Sequence, residues 1–132
     1  MPLYLDTSAL VKLVIEEKES EELRALIGDQ EIVSSQLART ELIRAVGRAN
    51  ESYLGATEDL IDDLVLLKVD RMLTLSAAWI RPWTLRSLDA LHVASAQVLG
   101  GGLDAMVTYD VRMAEAGRRA GLPVASPGAS PA

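Results

Sequence analysis

The sequence predicts an α/β fold, a short central parallel sheet with helices on both faces. Two observations carry this expectation. Short strand-length segments alternate with longer helical ones, as βα(α)β, more helices, then αβαβ. The first of them, Leu3-Tyr4-Leu5, is an unbroken apolar run, as expected of a strand covered on both faces. It ends on Asp6 and turns at once into a helix. In open parallel sheets that carboxyl edge is where ligands bind. The alternative reading of Asp6 is a plain helix N-cap, a role Asp fills well.

After this strand, residues 8–16 read as a helix with Leu10, Val11, Val14 and Ile15 apolar. The charged stretch at residues 16–22 opens a second helix to about Ile27 and reads as a solvated face, with acids favoured near a helix N-terminus. Gly28-Asp29 is a turn, and residues 31–34 form a short strand. A third helix is expected from Gln36 to Ala49. Leu37, Ala38, Leu42, Ala45, Val46 and Ala49 make its apolar stripe, and Glu41 falls inside it, between Leu37 and Ala45. An acid on an inward face needs a partner. It is either an internal pair with Arg44 or Arg48, or part of a site.

Residues 51–55 read as a polar break and residues 57–65 as a fourth helix, leading to a short strand near residues 66–69. Asp70 begins a helix through Ile80, with Leu73, Ala77 and Ile80 inward, and Pro82 lies in the loop beyond it. Trp79 and Trp83 read equally as core or as an interface pair. The helix over residues 86–99, capped by Ser87, is apolar around almost its whole circumference, which marks a buried central helix. Asp89 and His92 share one of its faces. A carboxylate there is hard to explain as solvated surface, whereas His92 reads as a satisfied structural histidine. Gly100-Gly101-Gly102 is a flexible connector. Residues 104–109 form a strand that Asp110 follows, repeating the Asp6 arrangement. A helix over residues 111–120 stops at Gly121, and residues 122–125 are an edge strand, where Pro123 is tolerated. Residues 1–125 thus make one domain and residues 126–132 a flexible tail.

Composition narrows the chemistry. The chain has no Cys, so disulfides and thiolate metal sites are excluded, and its single His argues against a multi-histidine zinc site. Any metal is then held by oxygen, which points to Mg²⁺ or Mn²⁺. No apolar run is long enough to span a membrane, and a charge at Asp6 interrupts any signal-like segment, so a cytoplasmic location is the default expectation. A net charge of −6 argues against nucleic-acid binding through a broadly basic surface. It leaves room for a local basic rim from Arg39, Arg44, Arg48, Arg81 and Arg86.

Asp6 and Asp110 are expected on one sheet edge, with Glu41 and Asp89 closing a ring. Two unit charges about 4 Å apart repel by about 4 kcal/mol at an effective dielectric of about 20. Such a cluster either raises its pKa values or binds a cation. A divalent ion there orients a phosphate and activates water for in-line attack.

These segments carry a resemblance. Leu5-Asp6-Thr7-Ser8-Ala9-Leu10, residues 35–42, Leu88-Asp89-Ala90-Leu91-His92-Val93-Ala94 and Val107-Thr108-Tyr109-Asp110 match, in order and spacing, the PIN-domain ribonucleases. More closely, the chain resembles the VapC toxins of bacterial VapBC toxin–antitoxin pairs. The resemblance implies a PIN-like three-layer sandwich and a Mg²⁺- or Mn²⁺-dependent endoribonuclease. It implies Asp6, Glu41, Asp89 and Asp110 as the acidic, metal-holding set, with Thr7 and Thr108 shaping the site. It also implies an RNA substrate, a homodimer and inhibition by a VapB-type antitoxin. The rival within the fold is a non-catalytic PIN-like RNA-binding module, which the intact acidic set argues against. A haloacid-dehalogenase-like phosphatase needs a second Asp where this chain has Ser8, and a receiver domain needs a central acceptor Asp and a late Lys that the chain does not offer.

Overall fold

The computed structural model describes residues 1–130. Its centre is strand β1 (Leu3–Leu5), wholly buried. Side chains alternate across a strand, so Leu3 and Leu5 enter one core layer and Tyr4 the other. β2 (Ile32–Ser35) and β4 (Ala105–Val107) flank β1, with β3 (Val65–Leu67) outside β2 and β5 (Val124–Ala125) outside β4. Every pairing is parallel, giving the order β3-β2-β1-β4-β5. The chain therefore builds outward from β1 on one side, then crosses back to its other side. That reversal leaves a crevice at the carboxyl ends of β1 and β4, the switch point at which doubly wound sheets bind ligands.

Helices cover both faces, as expected. On the Leu3/Leu5 face lie α1 (Thr7–Val14), α2 (Ser20–Ile27), α3 (Gln36–Ala49) and α4 (Leu54–Asp62), contributing Leu10, Leu23, Leu42 and Ile61. On the Tyr4 face lie α6 (Ser87–Val98) and α7 (Val111–Arg119), contributing Val93, Ala96, Met113 and Ala116. α5 (Arg71–Ala78) packs on α6 through Leu73, Ala77, Ala90 and Ala94. No helix among the described residues is long and apolar enough to cross a membrane.

Several boundaries differ from expectation. α2 begins at Ser20, late in the charged stretch rather than at its start, because Lys12 pairs with Glu19 at 2.9 Å and Ser20 Oγ donates to Lys12 O at 2.7 Å. Glu19 is thereby buried rather than solvated. The supposed polar break at residues 51–55 is a 3-10 turn, Glu51–Tyr53, running straight into α4, with Asn50 Oδ1 accepting from Ser52 N at 3.0 Å. Gly100–Gly102 is likewise a 3-10 turn rather than a loose connector. Ser87 is the first residue of α6 and caps nothing; Arg86 holds the cap position without a side-chain bond. β4 stops at Val107, and the hydroxyl of Thr108 just beyond it reaches across to Asp6. Of the segment expected to be a flexible tail, Ser126 Oγ donates to Thr108 O at 2.5 Å and Pro127 O accepts from the Tyr109 hydroxyl at 2.7 Å. Pro131 and Ala132 lie outside the described residues.

Candidate active site

Asp6 leaves β1 almost fully buried, and it is both a helix cap and a member of the crevice. Its Oδ1 accepts from Ala9 N at 3.1 Å and from Ser8 Oγ at 2.7 Å; its Oδ2 accepts from Thr108 Oγ1 at 2.6 Å. Burial pushes this carboxyl above the ordinary range, and the Thr108 and Ser8 hydroxyls only partly draw it back. Asp110 repeats the arrangement after β4. Its Oδ1 accepts from Arg112 N at 2.9 Å and Met113 N at 3.2 Å, capping α7. Thr108 joins the two acids, because its Oγ1 donates to Asp6 and accepts from Asp110 N at 3.1 Å. Both acids thus come to one edge because each lies just past the carboxyl end of a neighbouring parallel strand, Asp6 directly after β1 and Asp110 three residues beyond Val107 of β4.

Glu41 reaches the crevice from α3. Neither Arg44 nor Arg48 pairs with it among the described residues. Its Oε1 lies 2.7 Å from His92 Nε2 and accepts from Thr7 Oγ1 at 3.0 Å. Burial works to raise this carboxyl, but the His92 ring and the Thr7 hydroxyl outweigh it and leave it below the ordinary range. His92 is 1% exposed and also bonds the Tyr4 hydroxyl through Nδ1 at 2.7 Å. It is the satisfied buried histidine expected, but its partner across the chain is Glu41.

Asp89 sits in the first turn of α6 with its side chain 18% exposed. Burial and then the charge of Asp110 raise its carboxyl, with Glu41 adding to the effect and Arg86 offsetting part of it. Arg86 Nε stands 3.7 Å from Asp89 Oδ2 on a side chain 78% exposed. Asp6 and Asp110 have no Lys or Arg partner among the described residues.

The four acids therefore share the crevice, but they are not drawn into one shell. Among the described residues no group of three or more Asp, Glu or His side chains is close enough to hold a metal ion as placed. What the crevice does offer is oxygen without a partner. Asp110 Oδ2, Glu41 Oε2 and the Asp89 carboxylate accept no hydrogen bond among the described residues. Unclaimed carboxylate oxygens with no nitrogen or sulfur donors suit a hard divalent cation that keeps several waters. A groove of about 430 Å³ opens beside Asp110, bounded also by Tyr109, Arg118 and Ser126. Another cavity, about 350 Å³ between α5 and α6, contains none of the acids. Ser8 escaped the sequence reading. It donates to Asp6 and accepts from Tyr109 N at 2.9 Å, and a Ser two residues after a capping Asp is too common to have marked it.

The PIN domain family model matches residues 3–119. Ribonuclease VapC46 of Mycobacterium tuberculosis is 42% identical over 126 residues, covering 95% of this chain and 97% of the relative. The solved structure of Mycobacterium tuberculosis VapC20, described as a sarcin–ricin-loop-cleaving toxin, aligns with a TM-score of 0.72 at 16% identity, covering 87% of this chain and 95% of that one. A toxin–antitoxin complex from Klebsiella pneumoniae contains a chain that aligns with a TM-score of 0.71 at 19% identity, covering 95% of this chain and 97% of that one. With a family model spanning most of its length and a relative 42% identical over 95% of it, this chain belongs to the PIN-domain family, in its VapC branch.

Proposed function

We propose that this protein is the endoribonuclease toxin of a type II toxin–antitoxin pair, hydrolysing RNA with Mg²⁺ or Mn²⁺ held by Asp6, Glu41, Asp89 and Asp110. The observation that carries the reading is the set of unclaimed carboxylate oxygens at the β1/β4 switch point. Among the described residues no buried Lys or Arg neutralises them, and burial raises two of the four carboxyls. A bound divalent ion would supply the neutralising charge, polarise a phosphate and activate water. Thr108 and Ser8 hold Asp6 rigid at the back of the crevice, and Thr108 sets the distance to Asp110. Thr7 fixes Glu41 opposite them. The names of the ribonuclease relatives support the substrate class.

Cleavage of RNA should require added Mg²⁺ or Mn²⁺ and leave 5′-phosphate and 3′-hydroxyl ends. Full activity of metal-stripped protein in EDTA would overturn the metal dependence. So would 2′,3′-cyclic phosphate ends, which come from attack by the RNA's own hydroxyl.

The partner belongs to the same reading. A VapB-type antitoxin tail inserts an Arg or Lys among Asp6, Asp89 and Asp110 and competes with the cation. Antitoxin affinity should then weaken along a Mg²⁺ titration; an affinity indifferent to Mg²⁺ counts against it. The reading also includes a cytoplasmic location and a homodimer. The exposed stripe of Met72 and Leu75 on α5 and Trp79 at its C-cap supports the homodimer, since contiguous exposed apolar patches mark contact surfaces.

A further inference from the structure

Tyr4 is 0% exposed, and its hydroxyl lies 2.7 Å from His92 Nδ1. A buried hydroxyl proton needs an acceptor. The nearby Ser34 and Ser95 hydroxyls give their protons to Leu5 O at 2.6 Å and Leu91 O at 2.7 Å and so cannot donate to Tyr4, whose hydroxyl has His92 Nδ1 as its one hydrogen-bond partner among the described residues. Burial pushes the phenol far above its ordinary range, so it stays a donor. Tyr4 therefore donates to Nδ1. A neutral imidazole that accepts at Nδ1 carries its proton on Nε2. That nitrogen stands 2.7 Å from Glu41 Oε1 and donates to it. Thr7 Oγ1 donates to the same oxygen at 3.0 Å. One directional chain thus runs from the middle of β1, through α6, to the carboxylate on α3. It fills Oε1 and leaves Oε2 unclaimed among the described residues.

We propose that Tyr4 and His92 are positioning residues for Glu41: they occupy one carboxylate oxygen and hold the other available to a ligand in the crevice. The geometry stands by itself, while the consequence for cleavage rests on the nuclease reading. Neither residue touches the ligand, and Tyr4 acts only through His92. Such orienting groups behind a ligating side chain are commonly worth about 10–100-fold in metal affinity or activity.

His92 is the only histidine of the chain, so its ring nitrogens can be read by NMR without assignment. The apo protein, labelled with ¹⁵N-histidine, should show the Nε2–H tautomer. Tyr4→Phe keeps the ring and its packing and removes only the donor. It should move the Nδ1 resonance to that of an unbonded acceptor. It should also weaken Mg²⁺ binding in calorimetry and lower kcat, each by about 10-fold, with KM for RNA little changed. His92→Gln retains a donor and an acceptor and should recover part of the kcat lost in His92→Leu. If His92→Leu does not fold, the Tyr4→Phe measurements decide alone. An Nδ1–H tautomer in the wild type overturns the proposal. So does a folded Tyr4→Phe protein with unchanged Nδ1 resonance, metal affinity and kcat. A wild type that neither binds Mg²⁺ nor cleaves RNA would sink the nuclease reading, while the tautomer would still decide whether the chain of hydrogen bonds exists.

Discussion

Asn in place of Asp89 removes one negative charge from the crevice and keeps the shape of the side chain. Among the described residues the only cation beside Asp89 is the exposed Arg86, and an exposed partner contributes little. In EDTA at neutral pH, Asp89→Asn should therefore melt at or above the wild type, by about 1 kcal/mol. Mg²⁺ should then stabilise the wild type more than the variant. A buried Arg partner would instead make the same change cost about 3–5 kcal/mol, with or without metal. The pH dependence has a definite sign. Asp89 binds its proton more tightly folded than unfolded, so its contribution is fully present below the unfolded pKa and is lost as pH rises through the folded one. The advantage of the variant should open as pH climbs above 3.8 and close on acidification. Glu41, held below its ordinary value, runs the other way, and its contribution is lost as pH falls. Melts of both proteins across pH isolate Asp89, because Glu41 is common to both. A large, pH-independent loss in Asp89→Asn would remove Asp89 from the cluster. At this scale the sequence showed where the acids lie but not what they touch. Glu41 was legible as an acid on an apolar stripe, yet its partner is 51 residues away on α6. Local periodicity offers Arg44 and Arg48 as neighbours and says nothing of His92.

Helix α7 lies so close to β4 and β5 that a Cβ at Gly117 would come 2.5 Å from Met106 Cε and 3.0 Å from Val124 Cγ2. Gly117→Ala gains about 1 kcal/mol of helix propensity and costs about 1–3 kcal/mol of overpacking, since Met106 is wholly buried. The net expectation is a loss of about 1 kcal/mol in urea melts. In a Met106→Ala background the same change should become neutral or stabilising, a coupling that a double-mutant cycle measures. A Gly117→Ala loss unchanged in that background would show that the crowding lies elsewhere. Elements of this kind were well marked in the sequence, since apolar runs and helical stripes report burial directly. Their ends were not. α2 starts where the Lys12–Glu19 pair and the Ser20 hydroxyl close a turn, and those contacts are invisible to periodicity. The 3-10 turn after α3 was hidden because Glu51-Ser52-Tyr53 has the polarity of a loop.

The order of strands places the crevice more firmly than any single residue does. Because the strand order reverses at β1, Asp6 and Asp110 lie just past the carboxyl ends of adjacent strands although 103 residues separate them. That convergence was legible as two acids each closing a strand; the helices that deliver Glu41 and Asp89 were legible only as inward faces. On the far side of α6, Met72, Leu75, Trp79 and Trp83 are all at least half exposed. If a second copy covers this patch, Trp79→Arg should shift sedimentation from dimer to monomer and leave the melting temperature of the monomer unchanged. A wild type that sediments as a monomer at every concentration ends the dimer proposal. The hydrogen bonds that tie Ser126 and Pro127 to Thr108 and Tyr109 bear on how the protein is handled at the bench. An affinity tag joined directly to Ala125 removes a strap from the loop that carries Thr108, so its expression clone would report a loosened crevice as a weak enzyme. A tag placed beyond Ser130, on a linker, leaves the strap intact.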